Sequence, residues 1–336
     1  MTIVAAQDPA LRATLERCEP LVYSARAPAE LDRPDHVRAA SAIAAVGKHL
    51  LIVQDDASFI ALWSPDGTVT AIALPVGAGG RRRFEERLGN KGDKLDLEAA
   101  VVVEGAHGLR LVAFGSGSTL RRDRIAVVDL AVEGGRNPRV VNVELVDAAG
   151  WYAELRAQTA FSGSELNVEG SVVDEDRLIL FQRGNGAPRR GLLPVNATGE
   201  LPLGAFAAWL AAGGSGPPPE LRDVKQYDLG RAGDVPFTFT DAARLGPERV
   251  VFVASAEASP DTFRDGPVLG TRIGLLAGGP PRFTTLLDSS GRPSTRKVEG
   301  VCPCSERDDR LWVVTDADRP DRPAELCEVA LSGPWR

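Results

Sequence analysis

Leu95-Asp96-Leu97-Glu98-Ala99-Ala100 is the stretch on which the fold turns, because it recurs. Leu166-Asn167-Val168-Glu169-Gly170-Ser171 and Arg296-Lys297-Val298-Glu299-Gly300-Val301 repeat it. Each copy sets an acid between an apolar residue and a small one, and a β-prone run follows at 109–114, 177–181 and 310–314. Two weaker copies, Thr238-Phe239-Thr240-Asp241-Ala242 and Arg38-Ala39-Ala40-Ser41-Ala42, fit the same frame. The frame aligns Ser41, Glu98, Glu169, Asp241 and Glu299, successive positions lying 57, 71, 72 and 58 residues apart. A unit that cannot bury its own apolar face must stack on its neighbours, so the chain reads as a repeat protein.

The first unit is the clearest. Runs at 42–46, 50–54, 59–63 and 69–74 are separated by Gly47-Lys48, Asp55-Asp56 and Ser64-Pro65-Asp66-Gly67. Pro-Asp-Gly between apolar runs is a turn with a mechanism, since proline presets φ and glycine supplies positive φ. Four short antiparallel strands per unit is the form of a propeller blade. The expected fold is therefore all-β: one β-propeller domain over residues 1–336, with repeats starting near 38, 95, 166, 238 and 296. The second unit reads 97–103, 109–114, 124–130 and 139–145, the third 168–173, 178–181, 191–195 and 224–229, and the fourth 237–243, 250–254, 271–276 and 282–287, with helix-like runs interrupting at 149–158 and 203–212. The last unit has room for three strands, while 20–24 offers one spare strand, so Leu21–Tyr23 is expected to pair with the last blade and close the ring. Residues 1–17 read as a short helix or a frayed terminus. Five blades are favoured; six requires another unit hidden in 75–93 or 148–164.

Composition narrows function. The 336 residues are 43% hydrophobic and 25% charged, with net charge −7. That acidity argues against a general nucleic-acid binder, and Arg81-Arg82-Arg83, followed by Glu85 and Glu86, reads as a solvated loop. No apolar run approaches the roughly 20 residues that span a bilayer, and no signal-peptide core is seen, so a cytoplasmic protein is expected. Cys18, Cys302, Cys304 and Cys327 are accordingly expected to be reduced.

In a propeller the first strand of each blade lines the channel, so Glu98, Glu169, Asp241 and Glu299 should converge near the axis. Crowded carboxylates need a compensating charge. A hard cation, Ca²⁺ first, would supply it; so would an ion-paired lining built from Arg38, Lys94, Arg183 and Lys297. Ser41 lacks the acid and should mark the open side of the ring, nearest Arg38 and Asp55-Asp56. The loops after each second strand should share one face. There Gly115-Ser116-Gly117-Ser118 with Arg121, and Arg183 with Asn185, suit an anion. Ser116, Ser118, Arg121, Arg183, Asn185 and Arg38 are the candidate substrate-binding residues. Of the histidines, His49 reads as a strand start and His107 as a turn residue, and His36 is the candidate general base. No Gly-x-Ser-x-Gly elbow, Walker loop or dinucleotide fingerprint occurs.

The segment Gly163–Gly170, the Gln182-Arg183-Gly184-Asn185 loop, Gly115-Ser116-Gly117-Ser118 and Lys297-Val298-Glu299-Gly300 together resemble an uncharacterised bacterial β-propeller family similar to the esterase-like phytase propellers. The resemblance spans about 38–330 and implies a propeller fold and a calcium-dependent hydrolase. Two functions follow as expectations. One is a metal-dependent hydrolase of a small anionic ester, lactone or phosphoester at the channel mouth. The other is a non-catalytic scaffold or small-molecule binder in which the carboxylates are structural.

Overall fold

The computed structural model describes residues 1–336 except 107, 133–136, 259–265 and 336; the reading of His107 as a turn residue therefore falls outside the described residues. The repeats fold into antiparallel four-stranded meanders. The first sheet is Ala40–Val46, His49–Gln54, Phe59–Trp63 and Val69–Ala73. The second is Leu97–Gly105, Gly108–Gly115, Arg124–Ala131 and Arg139–Asp147. Val168–Asp174, Arg177–Gln182, Asn196–Pro202 and Arg222–Asp228 make the third. Thr238–Gly246, Arg249–Glu257, Val268–Leu276 and Arg282–Leu287 make the fourth. Lys297–Pro303, Arg310–Asp316 and Glu325–Ser332 follow.

The sheets stand side by side with their first strands innermost. Each first strand packs against the next in sequence, and Lys297–Pro303 packs back against Ala40–Val46. Both faces of each sheet are consequently buried, and a separate apolar cluster fills each junction. Leu51, Ile60, Leu111 and Val128 join the first and second sheets, whereas Ile43, Ile52, Cys302 and Val314 join the last to the first. This radial stack is a β-propeller.

The expected helices appear as Ala149–Ala157 and Leu203–Ala211. They carry Trp151, Phe206 and Trp209 onto the junction of the second and third sheets, where ring centroids lie 5.5–6.0 Å apart. Residues 75–93 hold 3₁₀ turns, Ala78–Gly80, Glu86–Leu88 and Lys91–Asp93, where a sixth unit had been considered.

Three expectations need correction. The first twenty residues hold three strands, Thr2–Val4, Ala6–Gln7 and Arg12–Pro20, in place of a short helix or a frayed terminus. Thr2–Val4 pairs in parallel with Arg222–Asp228, Ala6–Gln7 in parallel with Arg282–Leu287, and Arg12–Pro20 antiparallel with Glu325–Ser332. The partner of the last sheet is thus Arg12–Pro20 rather than Leu21–Tyr23. Leu11, Ala13 and Leu15 alternate inward, but a bulge opposite Glu328/Val329 shifts the phase at Glu16 and hides the period-two signal. Second, the third strand of the third sheet is Asn196–Pro202, not 191–195. Leu193 is exposed, and Pro194 has no N–H to give a ladder. Third, Cys18 and Cys327 are not reduced. They face each other across the antiparallel pair and form a disulfide, closing a span of 309 residues. That removes the cysteine argument for a reducing compartment; Cys302 and Cys304 are free thiols.

Candidate functional site

Every inner strand carries a β-bulge at the same point. The register skips Ser41 between Ala40 and Ala42, Glu98 between Leu97 and Ala99, and Glu169 between Val168 and Gly170. It skips Thr240 between Phe239 and Asp241, and Glu299 between Val298 and Gly300. A bulge re-aims one side chain, so these five positions are the equivalent ones. The fourth repeat was aligned one residue late: Thr240, not Asp241, is the counterpart of the glutamates. Asp241 instead occupies the place of Ala42, Ala99, Gly170 and Gly300. Its Oδ2 accepts the Val301 N–H at 2.8 Å, so it bonds the neighbouring sheet and does not join the other acids.

The glycines after two of the bulges have a steric cause. A Cβ on Gly170 would lie 3.1 Å from the Ala242 nitrogen, and one on Gly300 would lie 2.6 Å from Val314 Cγ2 and 3.0 Å from Ala42 carbon. The two hydroxyls at bulge positions also tie sheets together. Ser41 Oγ donates to Leu97 O at 2.5 Å, and Thr240 Oγ1 donates to Val298 O at 2.9 Å.

A second repeated bond fixes a residue at the end of the second strand in the first three sheets. The N–H groups of Asp55, Ser116 and Arg183 donate to the carbonyls of Ala39, Asp96 and Asn167. Asp55, Arg183 and the bulge residues Ser41, Glu98, Glu169 and Glu299 open onto one cavity of about 540 Å³, whose lining also includes Lys94, Asp96, Asn167, Asn185, Glu257 and Lys297. Seven acids and six bases line it, so most of its charges have an opposite charge within reach.

The charges compensate in three groups. Arg183 lies 3.4 Å from both oxygens of Glu169, 2.7 Å from Glu257 and 3.9 Å from Glu299. Lys297 is 2.7 Å from Asp318 and 3.5 Å from Glu299. Lys94 is 2.6 Å from Asp96 and also bonds Asp55, while Arg122 holds the other Asp96 oxygen at 2.7 Å. Among the described residues, Glu98 has no hydrogen bond or ion pair. Burial, then Glu169, Asp96 and Asp55, push its carboxyl well above the usual range against the pull of Lys94. Burial likewise raises Glu169 to about 8, where Glu299 outweighs part of the Arg183 effect. Glu299 is raised to about 7. One guanidinium among three carboxylates cannot hold all of them ionised. Burial lowers the Lys94 ammonium, but Asp55, Asp96 and Glu98 outweigh it and hold it well above its ordinary value.

The sequence over 36–331 matches a family of unknown function, DUF6929. The chain belongs to that family. No curated protein matches it. Among solved structures, it is similar to a luciferin-regenerating enzyme at 10% identity and TM-score 0.44, covering 95% of this chain and 97% of the other. A virginiamycin B lyase from Staphylococcus aureus matches at 8% identity and TM-score 0.38, covering 95% and 99%. A putative exported protein from Bacteroides fragilis matches at 8% identity and TM-score 0.42, covering 99% and 100%. At those values the reading of this DUF6929 member rests on its own residues.

Several residues singled out in the sequence sit elsewhere in this DUF6929 chain. Ser116 Oγ donates to Asp96 Oδ2, and Ser118 Oγ accepts from Arg122 at 2.6 Å. The buried arginine of the glycine-serine loop is therefore Arg122; Arg121 stands at the rim, paired with Asp93. Arg38 is buried against Asp56 and Glu85 beside a neighbouring cavity of about 360 Å³. His36 forms a bridge with Val22 and is not in the channel lining. Burial lowers its imidazole pKa, opposed by the Pro320 backbone. Asn185 does line the channel and accepts from Asn167, which also donates to Glu169 at 2.7 Å. Asp96, Arg122 and Glu257 are site residues that the sequence frame passed over. Asp96 stood within the repeat itself, two residues before Glu98.

Proposed function

We propose that the chain is a five-bladed propeller closed by its N-terminal strand, and that it hydrolyses a small, singly charged ester or lactone at the channel mouth, with Glu98 handling the proton. The cyclic packing of inner strands and the pairing of Arg12–Pro20 with Glu325–Ser332 support the closure. The unpartnered carboxyl of Glu98 carries the functional reading. An ionised carboxylate facing the channel can take a proton from the attacking water and return it to the leaving oxygen. Lys94 has three N–H donors, and Asp55 and Asp96 engage its ammonium. A remaining donor suits the developing oxyanion. Lys91 and Arg121 at the rim attract the anion. With the Glu98 and Glu169 carboxyls pushed up, the six bases slightly outnumber the ionised acids, a small positive balance that suits one negative charge better than the two of a phosphomonoester.

The test is turnover of a panel of esters, lactones and phosphoesters by the parent and by Glu98→Gln. A loss of about 10² to 10⁴ is expected for the variant, with unchanged folding. Equal rates in both, or no turnover of any substrate by the parent, would refute the hydrolase.

The four-acid calcium ring does not fit, because Arg183 bridges Glu169 and Glu299 and Asp241 is bonded to Val301. One observation keeps a cation as a second reading. Oxygens of Asp55, Asp96 and Glu98 lie within 4.8 Å of one another. Ca²⁺ would have to displace the Lys94 ammonium there. A calcium-induced rise in melting temperature, present in the parent and absent from Glu98→Gln, would favour that reading.

A further inference from the structure

A further cavity, of about 310 Å³, lies outside the channel and shares none of its lining residues. It sits between the glycine-serine loop, the helical insert and the segment that follows Asn185. Its wall includes Ser118, Thr159, Ser164, Arg156, Arg189 and Arg190, with Glu165 as the one acid. The acid is spent: one oxygen takes Arg189 at 2.9 Å, and the other takes the Ala187 N–H at 2.9 Å. Arg156 is balanced by Asp123. Arg190 is exposed and, among the described residues, has no hydrogen bond or ion pair. The Ser164 hydroxyl oxygen is buried without a partner.

We propose that this groove binds the phosphate-class oxyanion of a small molecule, with Arg190 supplying the charge and the Ser164 hydroxyl a hydrogen bond. A buried hydroxyl without a partner is costly unless a ligand or water satisfies it. A guanidinium lining the same groove matches tetrahedral oxyanions through paired N–H donors. The groove also touches the channel network. Ser118 accepts from Arg122, which holds Asp96, which holds Lys94.

The test titrates inorganic phosphate into the full chain at constant ionic strength, with chloride as the balancing anion. Backbone amide shifts and melting temperature are read together. Saturable shifts are expected at Ser118, Ser164 and Arg190. Arg190→Ala should weaken binding about tenfold, as loss of a charge-assisted contact does, and Arg190→Lys should recover part of it. Ser164→Ala should weaken it less. Glu98→Gln should bind as the parent does, which separates this groove from the channel. Shifts that do not saturate, shifts reproduced by chloride, or unchanged affinity in Arg190→Ala would overturn the proposal.

Discussion

The guanidinium of Arg183 lies 3.4 Å from both carboxylate oxygens of Glu169. Both side chains are almost wholly buried, so the arginine stands where a metal ion was expected. Its position follows from a repeated backbone bond that Asp55 and Ser116 also make, which puts a cation at a point where the first sheet has an acid.

Arg183→Met should therefore destabilise the fold severely. It leaves Glu169, Glu257 and Glu299 buried without their shared partner, a loss on the order of 3–5 kcal/mol. Combining it with Glu169→Gln should restore part of that loss, because one of the stranded charges is gone. Denaturant melts of the two variants and the double variant would measure the coupling; additive losses would count against a shared pair.

Stability should fall as pH rises through the window set by Glu299 and Glu169. Their folded pKa values are about 7 and about 8, above the unfolded value of about 4.3. The folded state binds more protons between these limits, so unfolding free energy declines with pH there. Glu299→Gln should flatten the slope. Melts across pH 5 to pH 8, roughly the range of those pKa values, would show it; a slope unchanged in the variant would exclude Glu299 as a source.

Asp241→Asn should leave the channel chemistry intact and cost little stability. The amide oxygen can still accept the Val301 N–H, while the burial-raised carboxyl is removed. Asp241→Ala should cost about 1–3 kcal/mol, because the buried N–H loses its acceptor. Damage from the asparagine as large as from the alanine would show that the carboxylate itself matters at this position.

Reducing the Cys18–Cys327 disulfide should lower the melting temperature. The bond closes nearly the whole chain and pins Arg12–Pro20 against Glu325–Ser332. Such a long loop predicts a loss of about 2–4 kcal/mol. Cys18→Ser should melt at the lower temperature with or without reductant, and a reductant effect persisting in that variant would point to another cause.

The β-runs of the first, second and fourth sheets, and both longer helices, were legible in the sequence. Alternation and turns such as Pro65-Asp66-Gly67 act over a few residues and need no distant partner. The acids at 98, 169 and 299 were legible for the same reason, since the bulge sits in a fixed local frame. Thr240 was missed because Asp241 mimics the motif one residue late, and in a strand one residue exchanges the channel for the sheet junction.

By itself, then, the sequence determined the repeating unit and its four-strand form, because side-chain period and turn chemistry are local. The tertiary structure decided which charges meet. Arg183 reaches Glu257, 74 residues away, and Lys94 reaches Asp55, 39 residues away. It also decided that Cys18 faces Cys327 and that Glu98, among the described residues, is left without a hydrogen bond or ion pair. Each depends on how neighbouring sheets are set side by side, and that setting comes from the summed burial of apolar junctions, which no single stretch encodes.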